Sequence, residues 1–283
     1  LIEDNGINKE EIDLLVFISQ TPDYRMPATS VILQDRLKLS HSCVAFDISL
    51  GCSAFCYGLS VVYGMMQSGG IRKALILDGE TRSKVYSPKD RRSAFLFGDG
   101  GVAALVERDE KFGKSYFSLN SDGSRADLIM IKGGGYRHPS SEETLREKVV
   151  DEYGNIRSEQ GYMQGGDVFN FVIREIPRDI KKTLEYAGDT ADSFDYIVFH
   201  QANNFINAYI AKKMKLDTDK IPSTIAKYGN TSSVSVPLTI VSELKDRLYG
   251  NKKLLLSAFG VGMTWATGIV PFVDCKISDI VEV

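Results

Sequence analysis

The 283 residues carry 34 Lys+Arg against 37 Asp+Glu, a net charge of −3, with 43% hydrophobic and 25% charged side chains. That balance excludes a disordered or fibrous chain and leaves no basic excess for binding nucleic acid. Four cysteines (Cys43, Cys52, Cys56 and Cys275, with no C-x-x-C) form neither a disulfide framework nor a zinc motif and fit a reducing, cytoplasmic setting, and no apolar run approaches the roughly 20 residues of a membrane helix.

Leu1–Gly6 reads as the last turn of a helix closed by a Gly cap, so the natural chain is expected to begin before Leu1. Ile12–Ile18 is a short apolar run suited to a strand buried on both faces. A loop over Thr21–Pro27 and a helix over Ala28–Leu37 follow, then a strand at Ala45–Ile48 and a turn at Gly51-Cys52. From Ser53 to Met66, Phe55, Leu59, Val62 and Met66 recur at helical spacing. Lys73–Leu77 is a strand, and the Gly-rich turn Ala94–Gly101 feeds another at Val102–Glu107.

This order recurs in the second half. Ile12–Phe17 compares with Phe194–Phe199 at an offset of 182, Lys38-Leu39 with Lys215-Leu216, Gly51–Ser53 with Gly229–Thr231 at 178, and Lys73–Ile76 with Lys253–Leu256 at 180. Four weak matches in one order point to a duplication of two βαβ-type halves. The expected division is residues 1–132, a polar, Gly-rich loop or lid over 133–166, and 167–283.

Cys52 follows a strand and a glycine and opens an apolar helix, where the dipole and free backbone N–H groups favour thiolate; the alternative is a small buried hydrophobe, as suits Cys43, Cys56 and Cys275. His200 ends the strand Tyr196–Phe199, where an α/β site is expected, although a satisfied structural histidine remains open. His41 and His138 lie in polar loops and read as surface residues. Asn230 precedes the apolar helix Val234–Leu248 and could simply cap it. The repeat, however, places Asn230 where Cys52 stands in the first half, so that the two helix starts would meet beside His200. The Gly260-Val261-Gly262 turn after the strand Leu254–Ala258 could aim backbone N–H groups at an oxyanion.

Taken together, FDISLGCSAF, AFLFGDGG, VFHQANN, KYGNTSSVSVP and SAFGVGMTWATG resemble β-ketoacyl-acyl-carrier-protein synthase III, a condensing enzyme of the thiolase-like superfamily. The resemblance covers Leu1 to about Phe272 and implies an α/β fold, the five-layered αβαβα sandwich of two duplicated halves. It also implies a decarboxylative Claisen condensation of an acyl-CoA or acyl-carrier primer with malonyl-carrier. In that reading Cys52 is the acylated nucleophile, His200 and Asn230 bind the malonyl thioester carbonyl, and the N–H groups of Cys52 and Val261 form the oxyanion hole. Arg91, Phe97 and Asn203 match the coenzyme A path, and Phe169 matches an acyl-pocket wall. Met26 matches a side chain sent across a homodimer interface, while Lys212, Lys213 and Lys215 match a basic patch for the acidic acyl carrier protein. No metal or redox cofactor is implied, because loss of CO₂ supplies the carbanion.

The chain departs from the pattern in several places. The family's first strand and its adenine-stacking tryptophan have no counterpart, Phe205 stands where a docking arginine is expected, a triple glycine is Gly-Val-Gly, and the 133–166 segment is longer. A papain-like protease shares the Cys, His, Asn order but not the local cysteine signature or the duplication. A hydroxymethylglutaryl-CoA synthase or an ester- or quinolone-forming acyltransferase could share the triad, and a non-catalytic scaffold could keep the fold without turnover.

Overall fold

The computed structural model describes residues 1–109, 111–151 and 154–282; within the expected 133–166 lid, residues 152 and 153 fall outside them. In chain order the elements are β1 (Leu14–Ile18), α1 (Thr29–Leu37), β2 (Val44–Ile48), α2 (Ala54–Gln67), β3 (Lys73–Glu80), β4 (Gly100–Glu107) and β5 (Tyr116–Ser121). The segment that follows holds β6 (Ile129–Met130), α3 (Glu142–Leu145), β7 (Lys148–Asp151), β8 (Gly154–Ile156) and β9 (Tyr162–Met163). The remainder is α4 (Gly165–Ala187), β10 (Tyr196–Phe199), α5 (Asn204–Met214), α6 (Ile225–Tyr228), α7 (Ser235–Leu244), β11 (Asn251–Gly260) and β12 (Thr264–Val273).

Two four-stranded sheets carry the chain, ordered β2-β1-β3-β4 and β10-β11-β12-β5. In the first, β1 runs parallel to β2 and β3; in the second, β10 runs parallel to β11. Each sheet then turns antiparallel at the matching step, β3 to β4 and β11 to β12. Alternation along the strands explains the layering. Leu14, Val16 and Ile18 of β1 and Leu254, Leu256 and Ala258 of β11 pack with α2 and α7 in one core between the sheets. The intervening Leu15 faces outward beneath α1, while Leu255 and Phe259 face α4 and α5. With α1 outside one sheet and α4 and α5 outside the other, the layers run α, β, α, β, α.

The duplication extends to side-chain detail. Asp13 accepts the Lys73 backbone N–H at 3.1 Å, and its counterpart Asp195 accepts that of Lys253 at 2.8 Å. Lys38 and Lys215 end α1 and α5 in the left-handed conformation, with φ of 57° and 56°. Leu1–Gly6 forms the turn its composition suggests: Gly6 has φ of 60°, and the Ile7 N–H reaches back to the Ile2 carbonyl.

Three local readings differ from the structure. Residues 116–121, assigned to the first half, add β5 to the second sheet through antiparallel pairing with β12, for example Trp265 opposite Asn120. The Gly-rich 133–166 stretch carries short structure of its own, with β7 pairing β8 and β9 pairing β6. The helix expected over Val234–Leu248 is α7 flanked by single 3₁₀ turns at Ser232–Val234 and Lys245–Arg247. Helix α4 was not anticipated at all. Its buried stripe, Val168, Phe171, Val172, Ile176, Ile180 and Leu184, covers the outer face of the second sheet. Pro177 within it has no N–H for the Ile173 carbonyl, and Lys213 Nζ donates to that carbonyl instead at 2.6 Å.

Candidate active site

The carboxyl ends of the parallel strands converge on one cavity of about 100 Å³. Cys52 reaches it from the turn after β2, His200 from the end of β10, and Val261 from the turn after β11. Asn230, Phe97, Phe169 and Asn203 also line it, together with Arg82, Tyr86 and Phe259. A larger groove, of about 1570 Å³, runs along the free edge of β4 and contains none of these residues.

Cys52 lies just before α2, whose N-cap is Ser53. Ser53 makes no cap to its own helix; its hydroxyl meets Thr264 Oγ1 at 2.8 Å, and Thr264 donates to the Val261 carbonyl at 2.8 Å. Those two bonds hold the Val261 turn against the start of α2 beside Cys52. Gly260 makes the approach possible, since a Cβ there would lie 2.8 Å from Cys52 Sγ. Burial pushes the Cys52 thiol up, while the Arg82 charge and a hydrogen bond from Ser232 pull it down. Cys43, Cys56 and Cys275 are raised too, each first by burial, Cys56 to about 12.

His200 is fully enclosed, 1% exposed, with its ring edge-on to Phe259. Burial first and the Arg82 charge second bring its pKa down to about 3, so the imidazole is neutral at physiological pH. Nδ1 lies 2.7 Å from Ser235 Oγ, and that oxygen also accepts the Gln201 N–H at 3.2 Å.

Asn230 caps no helix. Its backbone is held on both sides by the Gly-rich turn: Asn230 N–H donates to the Leu96 carbonyl at 2.8 Å and Gly98 N–H to the Asn230 carbonyl at 3.1 Å. A side chain at Gly98 would strike the Tyr228 carbonyl at 2.1 Å. Asn230 Oδ1 accepts the Ser232 N–H at 2.9 Å, which fixes the amide and leaves its NH₂ as the outward donor.

The other expected residues divide. Phe97 stacks on Tyr86 at 4.0 Å in the cavity wall, Phe169 stacks on Phe205 at 5.5 Å, and Asn203 caps α5 through its Oδ1. Arg91 and Met26 are not in the cavity; both are exposed, Met26 at 77%. Lys212, Lys213 and Lys215 are exposed at the end of α5, but Lys213 is also the donor to Ile173 described above. Phe205, in the first turn of the same helix, is 68% exposed.

Sequence reading missed a charged group behind the cavity. Asp78 and Glu80 on β3 and Arg82 beyond it are 2%, 2% and 4% exposed. The available signal was three ionisable residues at alternate positions ending an apolar strand.

Residues 46–123 match the family model for 3-oxoacyl-[acyl-carrier-protein] synthase III, and residues 184–272 match the model for the C-terminal part of that enzyme. A putative 3-oxoacyl-[acyl-carrier-protein] synthase 3 of Campylobacter jejuni is 34% identical over 281 residues, covering 99% of this chain and 78% of its own. The chain belongs to the 3-oxoacyl-[acyl-carrier-protein] synthase III family. A β-ketoacyl-[acyl-carrier-protein] synthase III of Clostridium tetani is likewise 34% identical, over 95% of this chain and 80% of that one. The crystal structure of a 3-oxoacyl-(acyl-carrier protein) synthase from Burkholderia xenovorans superposes with a TM-score of 0.90 at 37% identity, over 100% of this chain and 79% of that one. As a member of this family the chain is a condensing acyltransferase with the thiolase-like sandwich, as its motifs suggested. No helix among the described residues is long and apolar enough to cross a membrane.

Proposed function

We propose that this enzyme condenses an acyl primer, delivered as acyl-CoA or acyl-carrier, with malonyl-acyl-carrier-protein through a Cys52 acyl-enzyme. The observation that carries the reading is the convergence of Cys52, His200 and Asn230 on one small cavity, with two neutral donors facing it. Cys52 thiolate attacks the primer thioester, forming the Sγ–C bond as the C–S bond to the carrier breaks. In this reading the Ser235 hydroxyl, which also accepts from Gln201 N–H, gives its own proton to His200 Nδ1 and leaves Nε2–H as a donor. Nε2–H and the Asn230 NH₂ then bind the malonyl thioester carbonyl. As CO₂ leaves, the electrons of its bond pass into the enolate those donors stabilise. The resulting carbanion attacks the acyl-Cys52 carbonyl, whose oxyanion takes the N–H groups of Cys52 and Val261, and Cys52 departs as thiolate.

Asn203, Phe97 and the exposed Arg91 line the approach for coenzyme A, and Phe169 walls the acyl pocket. Met26, unsheltered in one copy, completes the partner's pocket in a homodimer. Lys212, Lys213 and Lys215 steer the acidic carrier. No metal or redox cofactor enters these steps, and four free cysteines suit a cytoplasmic setting.

Intact-mass spectrometry after exposure to a panel of acyl-CoAs tests the acyl-enzyme, with one acyl addition expected in the wild type and none in Cys52→Ala. His200→Ala and Asn230→Ala are expected to lose about 100-fold or more in CO₂ release while still accepting the acyl group. Equal loss of both half-reactions would refute this division of roles.

A further inference from the structure

Arg82 has no part in the steps above, yet it is a buried cation at the cavity wall. Its Nη2 donates to Ser232 Oγ at 2.7 Å and to Gln20 Oε1 at 2.9 Å, and its Nε lies 3.6 Å from Glu80 Oε2. Ser232 Oγ lies in turn 3.7 Å from Cys52 Sγ. A guanidinium can only donate, so Ser232 Oγ accepts at the Arg82 end and its hydroxyl proton is free for the sulfur. Once Cys52 is ionised it can only accept, and the direction of the chain is set: guanidinium N–H to hydroxyl oxygen, hydroxyl proton to Sγ. We propose that Arg82 and Ser232 are positioning residues that form a donor relay activating Cys52 as a thiolate, both for attack on the primer and for departure after condensation. This rests on the acyl-enzyme reading.

Ser232 is held for such a role. It is fully buried with φ of 57°, a left-handed conformation costly for a non-glycine residue, and it is secured by Asn230 on its N–H and Arg82 on its side chain. The other ionisable groups facing Cys52 leave the relay as its main cationic support. His200 is neutral and Tyr86 is pushed up to about 12 by burial. Asp78 is raised well above the carboxylate range by burial and accepts from Ser233 Oγ at 2.7 Å. Glu80, raised chiefly by burial, also accepts from Gln20 N–H and Thr21 and is paired to Arg82 itself. Burial alone disfavours the thiolate at Cys52, and a donor relay ending in a fixed cation offsets that cost.

The test is the pH dependence of iodoacetamide alkylation at Cys52, read by peptide mapping, in the wild type, Ser232→Ala, Arg82→Lys and the double variant Arg82→Met/Glu80→Gln, in which Glu80 is not left as a carboxylate without its cation. Ser232→Ala and the double variant are expected to move the midpoint up by about one pH unit, a tenfold loss of thiolate near neutral pH. Arg82→Lys, which keeps the charge, is expected to recover part of that shift. Ser232→Ala removes a single oxygen and carries the test alone if the double variant does not fold. Midpoints unchanged from wild type in Ser232→Ala would overturn the relay while leaving the acyl-enzyme intact. A wild-type Cys52 that neither alkylates nor takes an acyl group would overturn both.

Discussion

Replacing His200 with Gln should remove a specific component of the protein's acid sensitivity. His200 has a folded pKa of about 3 against an ordinary value of 6.5, because burial and the Arg82 charge oppose its cationic form. Below pH 6.5 the unfolded chain therefore binds a proton that the folded one refuses, and stability falls as pH falls. At 1.36 kcal/mol per pH unit, the loss between pH 7.5 and 4.5 amounts to about 2.7 kcal/mol from this one side chain. Asp78 and Glu80 act with the opposite sign. Their raised folded values add stability as pH falls through the folded pKa, so the total curve mixes both effects. The difference between wild type and His200→Gln isolates the histidine. Urea unfolding midpoints at pH 7.5, 6.5, 5.5 and 4.5 should converge as pH falls, the variant losing less by about 2.7 kcal/mol over the series. Parallel curves for the two proteins would show that His200 titrates normally and is not held as a neutral imidazole by burial. In the wild type, the same neutrality should leave decarboxylation without a histidine limb between pH 8 and 5.

Gly260→Ala sets a methyl carbon 2.8 Å from Cys52 Sγ and should abolish acylation, measured by intact mass, with the far-ultraviolet circular dichroism kept; normal acylation would mean that the turn can retreat. Lys212→Glu should raise KM for malonyl-carrier and leave acylation by a small acyl-CoA unchanged, whereas Lys213→Met, which strips the donor from the Ile173 carbonyl, should also cost about 1 kcal/mol in a urea melt. Equal stability of the two variants would dismiss the structural role given to Lys213.

The parts of this enzyme that were legible in its sequence are those whose signals are local. Cys52, His200 and Asn230 each stand at the end of an apolar strand or the start of an apolar helix, and the repeat supplied the symmetry that brings two of them together. Arg82 was not legible, because its meaning lies with Gln20 and Ser232, at separations of 62 and 150 residues. The sheet to which β5 belongs was hidden for the same reason, since its pairing with β12 is long-range and its local pattern suits either sheet. Helix α4 was overlooked despite a clean helical stripe, because Gly165, Gly166 and Pro177 resemble punctuation. Asn230, whose composition suggested a helix cap, is instead clamped by the Leu96–Gly98 turn, a contact that no neighbouring residue announces.

Where the two halves meet at the cavity, the contacts are directional. Ser53 to Thr264, Arg82 to Ser232, Ser233 to Asp78, and the paired backbone bonds between the Leu96–Gly98 turn and Asn230 all cross from one half to the other. Apolar packing elsewhere between the sheets tolerates a small slide at little cost, whereas a hydrogen bond weakens steeply when its angle is lost. These bonds therefore serve as alignment pins, registering a sulfur supplied by one copy of the duplication against donors supplied by the other. Acyl transfer loses rate sharply with misplacement on the scale of an ångström. A ligand wedged between the halves far from Cys52 could thus silence the enzyme by shearing that register, without entering the cavity.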